Sequence, residues 1–166
     1  PDFGGLSGLI IGAMGDAFIA VSDQGNWVTG DLTSDNNRPI SISSALIAPL
    51  IGADGKPLSG KRESDAEAIA VPLGQDPRTH PLIVSFERHQ RISQFDLAGA
   101  GFAAPATPVA DFGAFEGFEN NKGLEAITYL PDGSVLAFSE ETLDADGHIM
   151  GVRLTETGAT ALRLRQ

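Results

Sequence analysis

Apolar and polar positions alternate in short runs along this chain, and one layout of them recurs three times. Residues 6–11 read LSGLII, residues 66–71 AEAIAV and residues 124–129 LEAITY. Past a turn, each is followed by a second apolar run: FIAVSDQG from Phe18, LIVSFERH from Leu82 and VLAFSEET from Val135. Two such runs around a turn predict a β-hairpin. Opposed residues of a hairpin share a constant index sum, which tests the alignment. Pairing Ser7 with Asp23 centres on Gly15, in AMGDA; pairing Glu67 with Glu87 centres on Pro77, in QDPRT. Pairing Glu125 with Glu140 centres between Asp132 and Gly133, in LPDGSV. All three midpoints fall in turn chemistry.

The rest of each repeat extends the hairpin to four strands. The first continues with NWVTGDLT and, after the turn SDNNRP, SISSALIAPLI; the second with RISQFDL and TPVADFG; the third with HIMGVRL and TALRLRQ. No segment sustains a 3.6-residue periodicity with caps. SDAEAIAV alone reads as a short helix, and its β-rich equivalents in the other repeats argue against that. The expectation is therefore an all-β chain, a single domain of three four-stranded units at residues 1–58, 59–113 and 114–166. Sequential meanders at a long period point to a β-propeller, whose rings hold four to eight blades. Three blades do not close a ring. The chain is expected to be half of a six-bladed ring, either part of a longer protein or a half that pairs with a second copy through its open blade faces. An all-β sandwich also yields many short strands, but explains a repeated first hairpin less well.

Composition narrows the chemistry. The net charge is −11, from 22 acidic and 11 basic residues, and the basic ones form no cluster of the kind nucleic acid requires. No apolar run approaches the roughly 18 residues of a membrane span. The opening PDFGGLSGLI has neither an initiating Met nor a basic region typical of a signal peptide, which reads as a processed or excised piece. Zero cysteines close off disulfides and thiolate metal sites.

Charge placement is more informative than charge total. In a propeller blade the start of the first strand and the end of the second emerge on the same face. Ser7, Glu67 and Glu125 then form one ring of positions with Asp23, Glu87 and Glu140 beside them, and five of these six are acids. The next position along is small in every repeat: Gly8, Ala68 and Ala126. Carboxylates that converge raise one another's pKa or recruit a cation. An all-oxygen set suits a hard ion, Ca²⁺ above all. The alternative is that these acids are solvated or paired with Arg88, Arg91 and Lys122. His80, His89 and His148 are scattered without metal-ligand spacing. DADGH (144–148) and ADGK (53–56) resemble fragments of a calcium loop but lack its terminal glutamate, and read as hairpin turns. Ser7 has no nucleophile-elbow context and no evident base.

Taken together, FGGLSGL…FIAVSDQGNW, SDAEAIA…LIVSFERHQRI and NNKGLEAI…LPDGSVLAFSEE resemble the phytase-like family, also described as esterase-like activity of phytase, over nearly the whole chain. DAEAIA, SFER and NKGLEA carry most of that likeness. The resemblance implies a bacterial propeller-type protein, secreted or periplasmic, about twice this length, with repeated acids serving metal-dependent phosphoester hydrolysis. Those acids map onto Asp65, Glu67, Glu87, Glu125 and Glu140. Two functions are open. In the first, a phosphoesterase for a small-molecule phosphoester, Asp65, Glu67, Glu125 and Asp23 form the calcium set. Glu87 or Glu140 then acts on water, and Arg88 and Lys122 hold the phosphate. In the second, the chain is a non-catalytic envelope binding module whose acid ring is structural or binds calcium for stability.

Overall fold

The computed structural model describes residues 4–36, 38–110 and 112–165. Asn37 of the expected turn SDNNRP and Asp111 of the expected strand TPVADFG lie outside the described residues, as do the first three residues and Gln166 of the last expected strand.

Among the described residues, twelve strands form three four-stranded antiparallel sheets, each a meander in chain order. The first holds β1 (Leu6–Ile11), β2 (Ala17–Ser22), β3 (Asn26–Asp35) and β4 (Arg38–Pro49). A one-turn helix, α1 (Lys61–Ser64), leads into the second: β5 (Ala66–Ala70), β6 (Leu82–Phe86), β7 (Arg91–Phe95) and β8 (Thr107–Ala110), with α2 (Leu97–Ala100) before the last strand. The third holds β9 (Leu124–Tyr129), β10 (Val135–Leu143), β11 (Ile149–Thr155) and β12 (Gly158–Leu164). SDAEAIAV thus divides as its apolar alternation requires, with the helix ending before Asp65 and a strand from Ala66. Among the described residues the sheets do not close into a ring.

The sheets stack in sequence, and their first strands lie side by side: β5 packs against both β1 and β9. Two apolar seams result. Ile19, Val21 and Trp27 of the first sheet meet Leu82, Val84, Phe86 and Phe95 of the second. Ile83 and Ile92, on the opposite face of the second sheet, meet Leu124, Val135 and Ala137 of the third, with Phe115 and Phe118 closing the edge. Burying each such side chain contributes roughly 1.5–3 kcal/mol before conformational entropy is counted. Because β6 serves both seams, all five of its residues are buried. That is why LIVSF is a continuous apolar run rather than an alternating one. Trp27 stands edge-on to Phe95 across the first seam, ring centroids 5.2 Å apart.

The outer face of the first sheet carries only a small cluster of Phe18, Ala20 and Val28. Beside it Leu9, Ile11 and Ile42 remain exposed. Their partners in register, Ala20, Phe18 and Leu32, put these side chains on one face. The equivalent residues of β6 and β10 are those that pack against the preceding sheet.

Candidate functional site

Each first hairpin slips at the same place. The β1–β2 register shifts between Leu6 and Gly8, β5–β6 between Ala66 and Ala68, and β9–β10 between Leu124 and Ala126. Ser7, Glu67 and Glu125 are therefore the extra, unpaired residues of three equivalent bulges. A bulge re-aims the side chain it displaces and bends the strand. It also moves the acids of the second strands two positions from the index-sum expectation. The amide of Asp23 donates to the carbonyl of Gly5 at 2.8 Å, that of Glu87 to Asp65 at 2.9 Å and that of Glu140 to Gly123 at 2.9 Å.

The backbone group that the middle bulge frees is not left alone. Ser85 Oγ accepts the Ala68 amide at 3.0 Å and donates to the carbonyl of Leu124 at 3.2 Å, tying the bulge to the third sheet. Gln90, fully buried, spans the same gap: its Oε1 accepts the Leu124 amide at 3.2 Å and its Nε2 donates to the Glu119 carbonyl at 3.3 Å. Only glycine fits at position 123, because a Cβ there would stand 1.8 Å from Gln90 Nε2.

These contacts bring five predicted acids into two overlapping groups. Ligand atoms of Asp65, Glu67 and Glu87 lie within 4.8 Å of one another, and so do those of Glu87, Glu125 and Glu140. Glu87 belongs to both. Asp65 and Glu87 are buried, Glu67 and Glu125 half-buried, and Glu140 is exposed. Glu87 Oε1 accepts the Gly123 amide at 3.2 Å. Burial raises the pKa of Glu87, against the pull of that amide, and the charge of Asp65 adds to the rise. Burial likewise raises Glu125, reinforced by Glu140, Glu87 and Asp65. Glu67 moves furthest, pushed up to about 8 by burial, then by the charge of Glu125 and a hydrogen bond with Asp65, while a hydrogen bond from Ser7 opposes the shift.

Asp65 is handled differently. Arg88 Nε donates to its Oδ2 at 2.6 Å, and Lys61 Nζ, four residues earlier, pairs with its Oδ1. Lys61 also reaches Asp23 Oδ2 at 2.9 Å, bridging the first and second sheets. Burial opposes its charge, but the hydrogen bonds to Asp23 and Asp65 outweigh that and hold the ammonium above its ordinary pKa. Asp23 therefore sits at the edge of the site, outside both groups. Its Oδ1 is buried with no hydrogen-bond partner among the described residues. Gly5 permits this approach, since a Cβ there would stand 1.8 Å from that oxygen.

Of the three cations expected as alternative partners for the acids, Arg88 alone pairs with one of them, Asp65. Arg91 lies over the Phe86 ring, 3.8 Å from its centroid, and Lys122 pairs with Glu119 at 3.2 Å. Lys61 was not foreseen, although its spacing from Asp65 in KRESD is that of an ion pair on one helical turn. Outside both groups, Asp144, Asp146 and His148 form a third acidic group in the β10–β11 turn. There Asp144 accepts the His148 and Asp146 amides and pairs with Arg163 at 3.1 Å, as a hairpin turn requires.

Carboxylate oxygens gathered around the bulges of the second and third sheets, with no sulfur and no imidazole among them, are a donor set for a hard cation. The family described as Phytase-like, esterase-like activity of phytase, matches residues 1–164. The chain belongs to the phytase-like family. No curated protein matches it. The family match runs through all three sheets, so each bulge and both acidic groups lie within its span.

Proposed function

We propose that this chain is the metal-binding half of a β-propeller phosphoesterase. The observation that carries the reading is the pair of carboxylate groups sharing Glu87, with three glutamates whose pKa values are raised. Burial is the main cause of the raised values and the neighbouring carboxylates add to it, so a hard ion would offset both the lost hydration and the mutual repulsion. Glu67, Glu87 and Glu125 would hold Ca²⁺, with Asp65 and Asp23 shaping the edge of the set. When bound, such an ion polarises a phosphoryl oxygen and lowers the pKa of water.

The remaining roles fall to this chain's own side chains. Glu140 is exposed, so it meets solvent directly and accepts the proton of an attacking water. Glu87, fixed by the Gly123 amide, keeps its carboxylate aimed at both acidic groups. Arg88 presents its guanidinium beside Asp65, and Lys122 needs only to open an exposed pair with Glu119 to join it at the phosphate. The stacking of first strands β1, β5 and β9 supports three blades of a six-bladed ring. The bare outer face of the first sheet would then receive a further blade or a second copy. A weak calcium site suits the periplasm or the medium, where free calcium is abundant.

The test is hydrolysis of a chromogenic phosphomonoester with calcium and with chelator. Activity should require calcium, and Glu87→Gln or Glu140→Gln should lower kcat about a hundredfold. Calcium binding without hydrolysis would instead favour a non-catalytic binding module.

A further inference from the structure

A cavity of about 730 Å³ opens beside the acidic groups, lined by Arg62, Arg88, His89, Phe118 and Asn120. Arg62 comes from α1, Arg88 and His89 from the β6–β7 turn, and Phe118 and Asn120 from the loop before β9. In a chain of net charge −11, three nitrogen-rich side chains converging on one cavity is a departure that needs a cause. Ion pairing within the protein is not that cause for Arg62, which is exposed and has no salt bridge or hydrogen bond through its side chain among the described residues. His89 engages Glu63 through Nδ1 at 2.9 Å, which leaves Nε2 as its second ring nitrogen. Arg88 adopts φ 39°, a left-handed conformation unusual for any residue but glycine. With Nε committed to Asp65, its planar guanidinium carries two terminal nitrogens that make no hydrogen bond among the described residues.

We infer that this cavity is a phosphoryl-group site, in which Arg62, Arg88, His89 and Asn120 bind the oxygens of a phosphomonoester. Guanidinium groups match phosphate geometry through paired N–H donors, and an amide N–H₂ adds a donor without charge. Arg88 faces both ways: its Nε holds the carboxylate of Asp65, and its terminal nitrogens serve the cavity. An anion bound there therefore lies next to the carboxylates. Phe118, almost fully buried, supplies an apolar wall. The cavity is much larger than one phosphate group, so it also admits the carrier of that group.

The chemistry rests on the phosphoesterase reading, but the test does not. Inorganic phosphate is titrated into the chain in the presence of chelator and followed by amide NMR shifts, with acetate as a second anion. The expected result is saturable phosphate binding, tighter than acetate by about tenfold, with shifts centred on residues 88–90 and 118–120. Arg62→Ala and Asn120→Ala should weaken phosphate binding, the former by about tenfold, while Arg163→Ala leaves it unchanged. Absence of saturable binding, equal affinity for acetate, or indifference to Arg62→Ala would overturn the proposal. Binding that persists where calcium-dependent hydrolysis fails supports the anion site and counts only against the hydrolase.

Discussion

The two seams of this molecule solve the same electrostatic problem in opposite ways. At the first, between the first and second sheets, the acids Asp23 and Asp65 are bridged by Lys61, and Arg88 completes the neutralisation of Asp65. At the second, between the second and third sheets, Glu87, Glu125 and Glu140 form one acidic group, Glu67 joins Glu87 and Asp65 in the other, and no lysine or arginine forms a salt bridge with any of these four glutamates among the described residues. The chain evidently can place a cation at this depth, since it does so one sheet away. That contrast separates acids used as structural ties from acids that no lysine or arginine of the described residues pairs with.

The comparison breaks most visibly with calcium. An ion that binds only the folded second seam stabilises by mass action, about 2.7 kcal/mol at a hundredfold excess over Kd. Denaturation with calcium and with chelator should show this gain in the wild type and a much smaller one in Glu125→Gln. Equal curves in all four conditions would erase the distinction between the seams. Removing the built-in cation of the first seam comes next. Lys61→Ala should cost about 2 kcal/mol, below the value for a fully buried pair because the lysine is half-exposed and Arg88 remains. The calcium-dependent gain of this variant should survive intact, because its lesion lies at the other seam.

A smaller effect tests the bulge. Ser85→Ala leaves the buried Ala68 amide without its acceptor and should cost about 1–2 kcal/mol in urea denaturation. The smallest effect concerns Glu67. Its folded pKa of about 8 lies above its ordinary 4.5, so its contribution is complete below about pH 4.5 and is lost as pH rises towards 8. In chelator, Glu67→Gln should therefore match the wild type near pH 4 and melt roughly 2–4 °C higher near pH 8. Calcium should reverse that ranking, since the variant lacks one of the charges the ion needs.

Much of this arrangement was written in the order of residues. LIVSF and VLAFS announce buried strands, QDPRT and LPDGSV announce turns, and the recurrence of acids at matched positions announces that those acids gather. What escaped was what depends on partners far along the chain. A bulge has no composition of its own, and Ser7, Glu67 and Glu125 look like ordinary strand residues until their pairing is seen. The index sums consequently placed Asp23, Glu87 and Glu140 two residues out of register. Lys61 was overlooked because its helix lies outside the strand pattern, although it reaches Asp23 38 positions away. Gln90 and Ser85 were invisible for the same reason, since a polar residue buried at a seam is recognisable only by what it bonds. The cavity lined by Arg62 and His89 joins an isolated helical turn to a strand turn, and no spacing rule connects them.

Trp27 and Tyr129 have a consequence of a different kind. The chain contains one tryptophan and one tyrosine. Trp27 is fully buried in the first seam, and Tyr129 packs against the cluster of the second. Each seam thus carries its own intrinsic fluorophore. Excitation at the red edge of the indole band reports the lysine-bridged seam alone, and the phenol's emission, at shorter wavelength than the indole's, reports the second. Ligand-driven tightening of either seam is therefore optically separable from the other without a label, a cysteine or a change to the chain.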